Sequence, residues 1–398
     1  MENVTKENVG KGVAGDVGED VSKKVKKKET NIEQEAKVEP EAPKAKSESK
    51  KQEEGVLYIG IDLGTSRTSI ASSNGKRETV PSVIGYPKDV VSQKLLKTDV
   101  LYGADAMRHR LSLNFYRPLA KGVIKGSGSD NNDGAEDTEM NFRAAKDLVK
   151  HAISLSNPAS DELLYGVIGC PAESSIKNKQ YLIKAATEVL DSVMICSEPF
   201  AVAYGLDWFT DLLVIDIGAG TVDLCRMRGT LPEEEDQITL YTAGDFVDEE
   251  LTKNIKASYP EAQFTVNMIK EIKEKHATVR DDASNIVVEL PVKGKPTPFD
   301  ITKEIKAACS AIIPPITDAL GELVSSFDPE FQMHLKDNVL LGGGGSQIIG
   351  LADAISADMK ERLGHGRVVA VEEPMYAGAN GALKIAHDMP AEFWEQLK

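Results

Sequence analysis

Only four of the 398 residues are cysteine, and Cys170, Cys196, Cys225 and Cys309 stand too far apart for any metal or redox spacing. They read as small hydrophobes of strands and helices in a reducing compartment. No apolar run approaches the roughly 20 residues of a membrane span, and no signal peptide is visible, so a cytoplasmic chain is expected. The phosphate loop G-x-x-x-x-G-K-[ST] is absent, and the glycine cluster LLGGGGSQIIGL lacks a clean G-x-G-x-x-G. The histidines, His109, His151, His276, His334, His365 and His387, form no ligand spacing, and none is a catalytic candidate. Positive charge is also in deficit: the formal net charge is -16, which argues against nucleic acid as a partner.

The first 54 residues contain no Leu, Phe, Tyr or Trp, and carry 12 Lys against 13 Asp plus Glu. Such a stretch cannot bury enough apolar surface to offset its ordering entropy, so residues 1–54 are expected to be a disordered charged tail. The run Lys23, Lys24, Lys26, Lys27, Lys28 invites a reading as a nucleic-acid or lipid patch. Acids flank it on both sides, however, and only valines could form an apolar face. A solvated tether without direct membrane insertion is the expectation. The folded part begins near Gly55 and carries nearly all of the negative charge.

What the chain does have is the same turn twice. YIGIDLGTSRTSI from Tyr58 and LLVIDIGAGTVDL from Leu212 are apolar strands that end in Asp-x-Gly-x-x and return to apolar residues. Around them strands and helices alternate, the pattern of an α/β fold. Phe142, Ala145, Leu148, Val149, Ala152 and Ile153 mark one face of a helix over Asn141–Ser156. A strand LLYGVIGC, a helix in SSIKNKQYLIKAATEVL, a strand SVMIC and a helix in SEPFAVAYGLD follow, Ser197 reading as the N-cap of the last. After the second turn come a helix around Phe264–Thr278, a strand at Ile286–Leu290 and a long helix from Thr302. A strand NVLL, the cluster GGGGS, a helix from Ser346, a strand RVVAV and one final helix complete the chain. SGSDNNDGAEDTE reads as a polar loop.

Gly64, Gly218 and Gly220 let the backbone turn tightly and approach a ligand closely. The turn amides, with the hydroxyls of Thr65, Ser66 and Thr221, can donate to phosphate oxygens. Asp62 and Asp216 would repel a phosphate directly, and make sense if a divalent cation held through water lies between. Asp223 either supports the second turn or approaches that cation. Arg67 can reach a phosphate, or can be an exposed turn arginine. One such turn is a common structural hairpin. Two of them, a domain apart, suggest two jaws around a phosphate chain. Gly342 to Gly345, with Ser346 after them, suit close approach of backbone to a flat ring.

This set resembles the actin, sugar-kinase and chaperone ATPase superfamily, and within it the bacterial actins. IGIDLGTSRT and VIDIGAGTVD resemble the two phosphate loops, so that Gly64, Thr65, Ser66, Arg67, Gly218, Ala219, Gly220 and Thr221 would bind the phosphates. VLLGGGGSQIIGL resembles the adenosine motif, with Gly343, Gly344, Gly345 and Ser346. YGVIGCPAES and EEPMYAGANGAL resemble the interdomain connections. EIKEKHATV, as bare sequence a charged amphipathic helix, resembles the helix whose Lys and Glu contact the nucleoside, here Lys273 and Glu274. SEP resembles the site of the glutamate that orients the attacking water, here Glu198, which otherwise is an acid favourable at a helix N-terminus.

The resemblance covers the chain from Gly55 onward. It implies a duplicated actin-like (RNase H-like) fold of two domains, each with a five-stranded mixed sheet flanked by helices and a smaller subdomain. Domain I is expected at 55–210 with its subdomain near 86–121. Domain II is expected at 211–398, with its subdomain near 247–298 and a C-terminal helix returning to domain I. ATP and Mg2+ would be the ligands, and self-assembly into an ATP-hydrolysing filament the activity. SVIGYPKDVVSQKLL, ICSEPFAVAYGLD and GTLPEEEDQITLYTAGDFVDEEL resemble the magnetosome-organising branch, which implies magnetosome proteins as further partners of tail or filament surface. A cell-shape actin and a non-polymerising small-molecule kinase are the alternatives.

Overall fold

The computed structural model describes residues 55–126, 135–282 and 284–397. The tail at 1–54 and the stretch 127–134 of the expected polar loop lie outside them. Each acidic turn sits at the end of the central strand of a five-stranded sheet. In the first sheet the order is Ser192–Ser197, Leu163–Cys170, Val56–Leu63, Arg67–Ser72, Arg77–Pro81. The first three strands run parallel and the last two antiparallel. In the second sheet Gln237–Leu240, Val222–Arg228, Thr210–Ile217, Val339–Gly342 and Val368–Ala370 repeat the pattern. The central strands are buried almost throughout because helices cover both faces, which is why they read as unbroken apolar runs.

Smaller elements extend each half. A three-stranded sheet of Ile84–Pro87, Leu101–Tyr102 and Leu113–Tyr116 leaves the first sheet after Pro81. In the second half the helices Gly244–Ser258 and Val266–His276 are followed by the hairpin Val287–Val292 and Lys295–Asp300. The helix Ala377–Asp388 returns to the first sheet. A Cβ at Gly60 would fall 2.1 Å from the Ala379 carbonyl oxygen, so only glycine permits this approach. Trp394 closes the same region, fully buried beside Tyr58 and Tyr165.

Several local expectations are corrected. The helix expected from Asn141 begins at Ala135, so the end of the polar loop is helical. The long helix from Thr302 is two helices, Thr302–Ser310 and Ile313–Ser325, because Pro314 and Pro315 can only open a new helix. Together, Thr302–Ser325 is long enough to cross a membrane and contains an 18-residue window of mean hydropathy 1.3. Charged residues interrupt the stretch, so it is no unbroken apolar run, and Ile305, Ala308, Ile316 and Leu320 lie in the core of the second half. Ser197 occupies the N-cap position of Glu198–Gly205 without a side-chain capping bond. Gly344–Gln347 is a single 3-10 turn, and the α-helix starts only at Leu351. The final helix is broken by Pro390 into Ala377–Asp388 and Ala391–Gln396.

Candidate functional site

The two acidic turns converge on one cleft between the halves, a cavity of about 440 Å³. Asp62, Gly64, Thr65, Ser66 and Arg67 line one wall, and Asp216, Gly218, Ala219, Gly220 and Thr221 the other. Glu198, Lys273, Glu274, Gly343, Gly344 and Gly345 complete the lining drawn from the sequence. Asp223 and Ser346 do not line it. The Ser346 hydroxyl instead donates to the Gly343 carbonyl at 2.7 Å and closes the glycine turn.

The turns are built alike. Gly64 N–H donates to Arg67 O at 3.1 Å, and Gly218 N–H donates to Thr221 O at 2.9 Å. These two amides are therefore spent on the turns, and donors for a ligand must come from the amides and hydroxyls between. The walls nearly touch: a Cβ at Gly220 would lie 2.5 Å from Thr65 Oγ1. Gly343, at φ +73°, passes so close to the floor that a Cβ would meet Asp216 Oδ1 at 2.2 Å.

The floor is a cluster of acids. Asp216 and Asp223 stand directly opposite in the antiparallel pair, an arrangement that repels unless a cation intervenes. Burial, and then the Asp223 charge, push the Asp62 carboxyl up to about 6. Burial, with Asp62 next, drives Asp216 and Glu198 well above the usual carboxylate range. Glu198 opens its helix where the first sheet carries Gly169, whose missing side chain leaves room for the glutamate. Burial also raises Asp223, against hydrogen bonds from Thr239 and Ala172 that hold it down.

Asp223 also ties the halves together. Its Oδ1 accepts from Thr239 Oγ1 at 2.6 Å and from the backbone N–H of Ala172, in the first connection, at 2.8 Å. Glu173 N–H donates to Thr239 Oγ1 at 3.1 Å, and Thr239 N–H returns to Glu173 Oε2. The other oxygen, Asp223 Oδ2, is buried without a protein partner.

Sequence reasoning missed Arg117, Asn267 and Lys270, which the structure ties across the cleft. Along Val266–His276, Asn267, Lys270 and Glu274 share one helical face at spacings of three and four. Asn267 Oδ1 accepts from Arg117 at 2.7 Å, Lys270 donates to Ser66 Oγ, and Glu274 pairs with Arg67 at 2.9 Å. Burial pushes the Lys270 ammonium below its ordinary value, with Glu274 opposing. Lys273, also in the lining, pairs with Asp248 at 2.9 Å and donates to the Gly244 carbonyl at 2.6 Å. The periodicity was present in the sequence, but the partners are 150 and more residues away.

The acid cluster has a measurable consequence. Between pH 4 and 6 folded Asp62 holds a proton that the unfolded chain, near 3.8, has released, so its stability penalty grows as pH rises. Asp62→Asn should therefore stabilise the ligand-free protein at pH 7.5, by up to about 3 kcal/mol, with the advantage vanishing towards pH 4. Denaturant titrations of parent and variant at each pH would show it, and an equal difference at all pH values would contradict it.

Two duplicated sheets that close acidic glycine turns over a shared cleft define an actin-like protein. The chain belongs to the MreB/Mbl protein family, whose profile matches residues 57–392, and within it to the MamK type. It is 39% identical over 354 residues to the "Actin-like protein MamK" of Paramagnetospirillum magneticum, an alignment covering 88% of this chain and 98% of that one. Among solved structures, a MamK double helical filament matches at TM-score 0.79 and 38% identity, over 84% of this chain and 99% of that one. A non-polymerising MamK mutant bound to AMPPNP matches over the same shares, 84% and 99%, at 37% identity and TM-score 0.63.

Proposed function

We propose that the chain binds ATP with Mg2+ in the cleft, hydrolyses it, and assembles into cytoplasmic filaments that organise magnetosomes. The observation that carries this reading is the convergence of both acidic turns and Glu198 on one cavity. Of the relatives, one is a MamK filament and another carries AMPPNP. In this reading domain I is 55–210 and domain II 211–398.

The donor set fits a hard cation: it is all oxygen, its charges repel one another, and Asp223 Oδ2 lacks a protein partner. Among the described residues no group of three or more His, Cys, Asp or Glu is placed to hold a metal directly. Asp62, Asp216 and Asp223 would therefore hold Mg2+ largely through water, as suits an ion that dehydrates reluctantly. Bound there, the ion neutralises charge on the phosphates.

The hydroxyls of Thr65, Ser66 and Thr221 and the Lys270 ammonium hold phosphate oxygens. Lys273, Glu274 and the backbone of Gly343 to Gly345 take the nucleoside. Glu198 accepts a proton from water, whose oxygen bonds to the terminal phosphorus as the bond to the bridging oxygen breaks, leaving ADP and phosphate. Magnetosome proteins would meet the filament surface or the tail.

Titration of the purified chain with fluorescent ATP tests the site. Binding should weaken at least tenfold with EDTA, and Asp216→Ala should bind equally weakly with or without Mg2+. Unchanged, metal-independent binding by Asp216→Ala would refute the assignment.

A further inference from the structure

The second sheet sets three polar residues in a row. Asp223 stands opposite Asp216 on one neighbouring strand and opposite Thr239 on the other. Asp216 lines the cleft, whereas Asp223 and Thr239 do not, and both are buried, at 0% and 9% exposure. Directly opposite residues share a face of a sheet, so the row leads away from the cavity wall.

The row meets the first half at the connection that follows the strand Leu163–Cys170. There Ala172 and Glu173 present two successive backbone N–H groups. Ala172 N–H donates to Asp223 Oδ1 at 2.8 Å, and Glu173 N–H donates to Thr239 Oγ1 at 3.1 Å. Thr239 N–H in turn donates to Glu173 Oε2 at 3.1 Å. The Thr239 hydroxyl lies 2.6 Å from Asp223 Oδ1. Its oxygen already accepts the Glu173 amide, so its proton is directed to the carboxylate. Two donors, one from each half, therefore fill Oδ1 and hold the carboxylate in one orientation. Oδ2 is left buried and without a protein partner.

We propose that Thr239 and Glu173 are positioning residues for the cation: they hold Asp223 with Oδ2 free for it, and only while the halves are closed. The inference rests on the Mg2+ reading above and makes cation binding conditional on closure. Ala172 and Glu173 are adjacent in one segment, so opening withdraws both amides together. Asp223 then loses one donor directly, and Thr239 loses the partner that directs its proton. Cation binding and closure are thereby coupled, each strengthening the other by the same factor. Neither Thr239 nor Glu173 lines the cavity, so both act through Asp223.

Titration of nucleotide affinity against free Mg2+ tests it, with a fluorescent non-hydrolysable ATP analogue as the probe. Thr239→Val keeps the shape and loses the hydroxyl. It should need at least about tenfold more Mg2+ for half-maximal tightening, the low end for a lost partner of a ligating residue, while its affinity in EDTA stays parental. Thr239→Ser keeps the hydroxyl and should restore the parental midpoint. Glu173→Ala, at an exposed side chain, should shift the midpoint in the same direction and carries the test if the valine variant does not fold. Hydrogen exchange gives a second readout. In the parent, Mg2+ with the analogue should slow exchange at Ala172 and Glu173 more than the analogue alone, and Thr239→Val should lose that difference. A parental Mg2+ midpoint in Thr239→Val would overturn the assignment. So would an affinity loss that is equal with and without Mg2+, the mark of a merely structural role. A parent whose affinity ignores Mg2+ would overturn the metal reading, and this inference with it.

Discussion

Glu198→Ala should bind MgATP as the parent does and release phosphate about 10²–10⁴-fold more slowly, the range of a lost general base. The placement supports this. Glu198 is 8% exposed, lines the cleft between the two acidic turns, and stands over a glycine that leaves it space. In the ligand-free protein burial and the charge of Asp62 favour its protonated form. A bound cation would relieve that repulsion and leave the carboxylate free to take a proton. Glu198→Gln keeps the shape and loses the base, so it should be nearly as slow. Filaments of either variant should persist after the parent's have disassembled. Single-turnover hydrolysis at the parental rate in both variants would remove Glu198 from the mechanism.

Arg226→Met should cost about 3–5 kcal/mol of folding stability, because it leaves a buried charge without its partner. Arg226 and Asp236 are 2% and 0% exposed. The guanidinium donates to Asp236 Oδ1 through Nε at 2.9 Å and Nη2 at 2.7 Å, and through Nη1 to Leu323 O at 2.7 Å. Arg228 approaches the other Asp236 oxygen at 3.2 Å but is partly exposed and shared with Glu233 and Glu235. It cannot reach Leu323 in place of the lost fork. Arg226→Lys should rescue little, since one ammonium cannot span these acceptors. Urea unfolding measures the loss; a change below about 1 kcal/mol would mean the pair contributes no more than a surface pair.

Much of this was legible in the sequence because it is local. An apolar strand, an acid, a glycine and a hydroxyl residue are contiguous, and their repetition gave the duplication and most of the cleft lining. The proline breaks at Pro314 and Pro390 were equally visible, but apolar periodicity carried the helices through them. What stayed hidden is long-range. Arg67 as sequence is a phosphate ligand or an exposed turn residue, and the structure pairs it with Glu274, 207 positions away. Lys270 reads as one charge of an amphipathic helix until its contact with Ser66 is seen. Asp223 reads as an acid that supports the second turn or approaches the cation, and only tertiary structure adds the backbone of Ala172 and thereby the link between halves. Nothing local in the acidic stretch Glu233–Asp236 marks Asp236 out from its neighbours, yet Asp236 is fully buried on Arg226.

The central claim is that nucleotide in this cleft drives assembly and is consumed by it. Sedimentation of the purified full chain with MgATP, MgADP and no nucleotide, with phosphate release followed in the same tubes, tests it most directly. The account predicts ATP-dependent pelleting above a threshold concentration, phosphate release that begins with assembly, and little pellet in the other two conditions. A chain that binds ATP yet stays in the supernatant at every concentration would contradict it, and would turn the search towards a small-molecule acceptor for the phosphate.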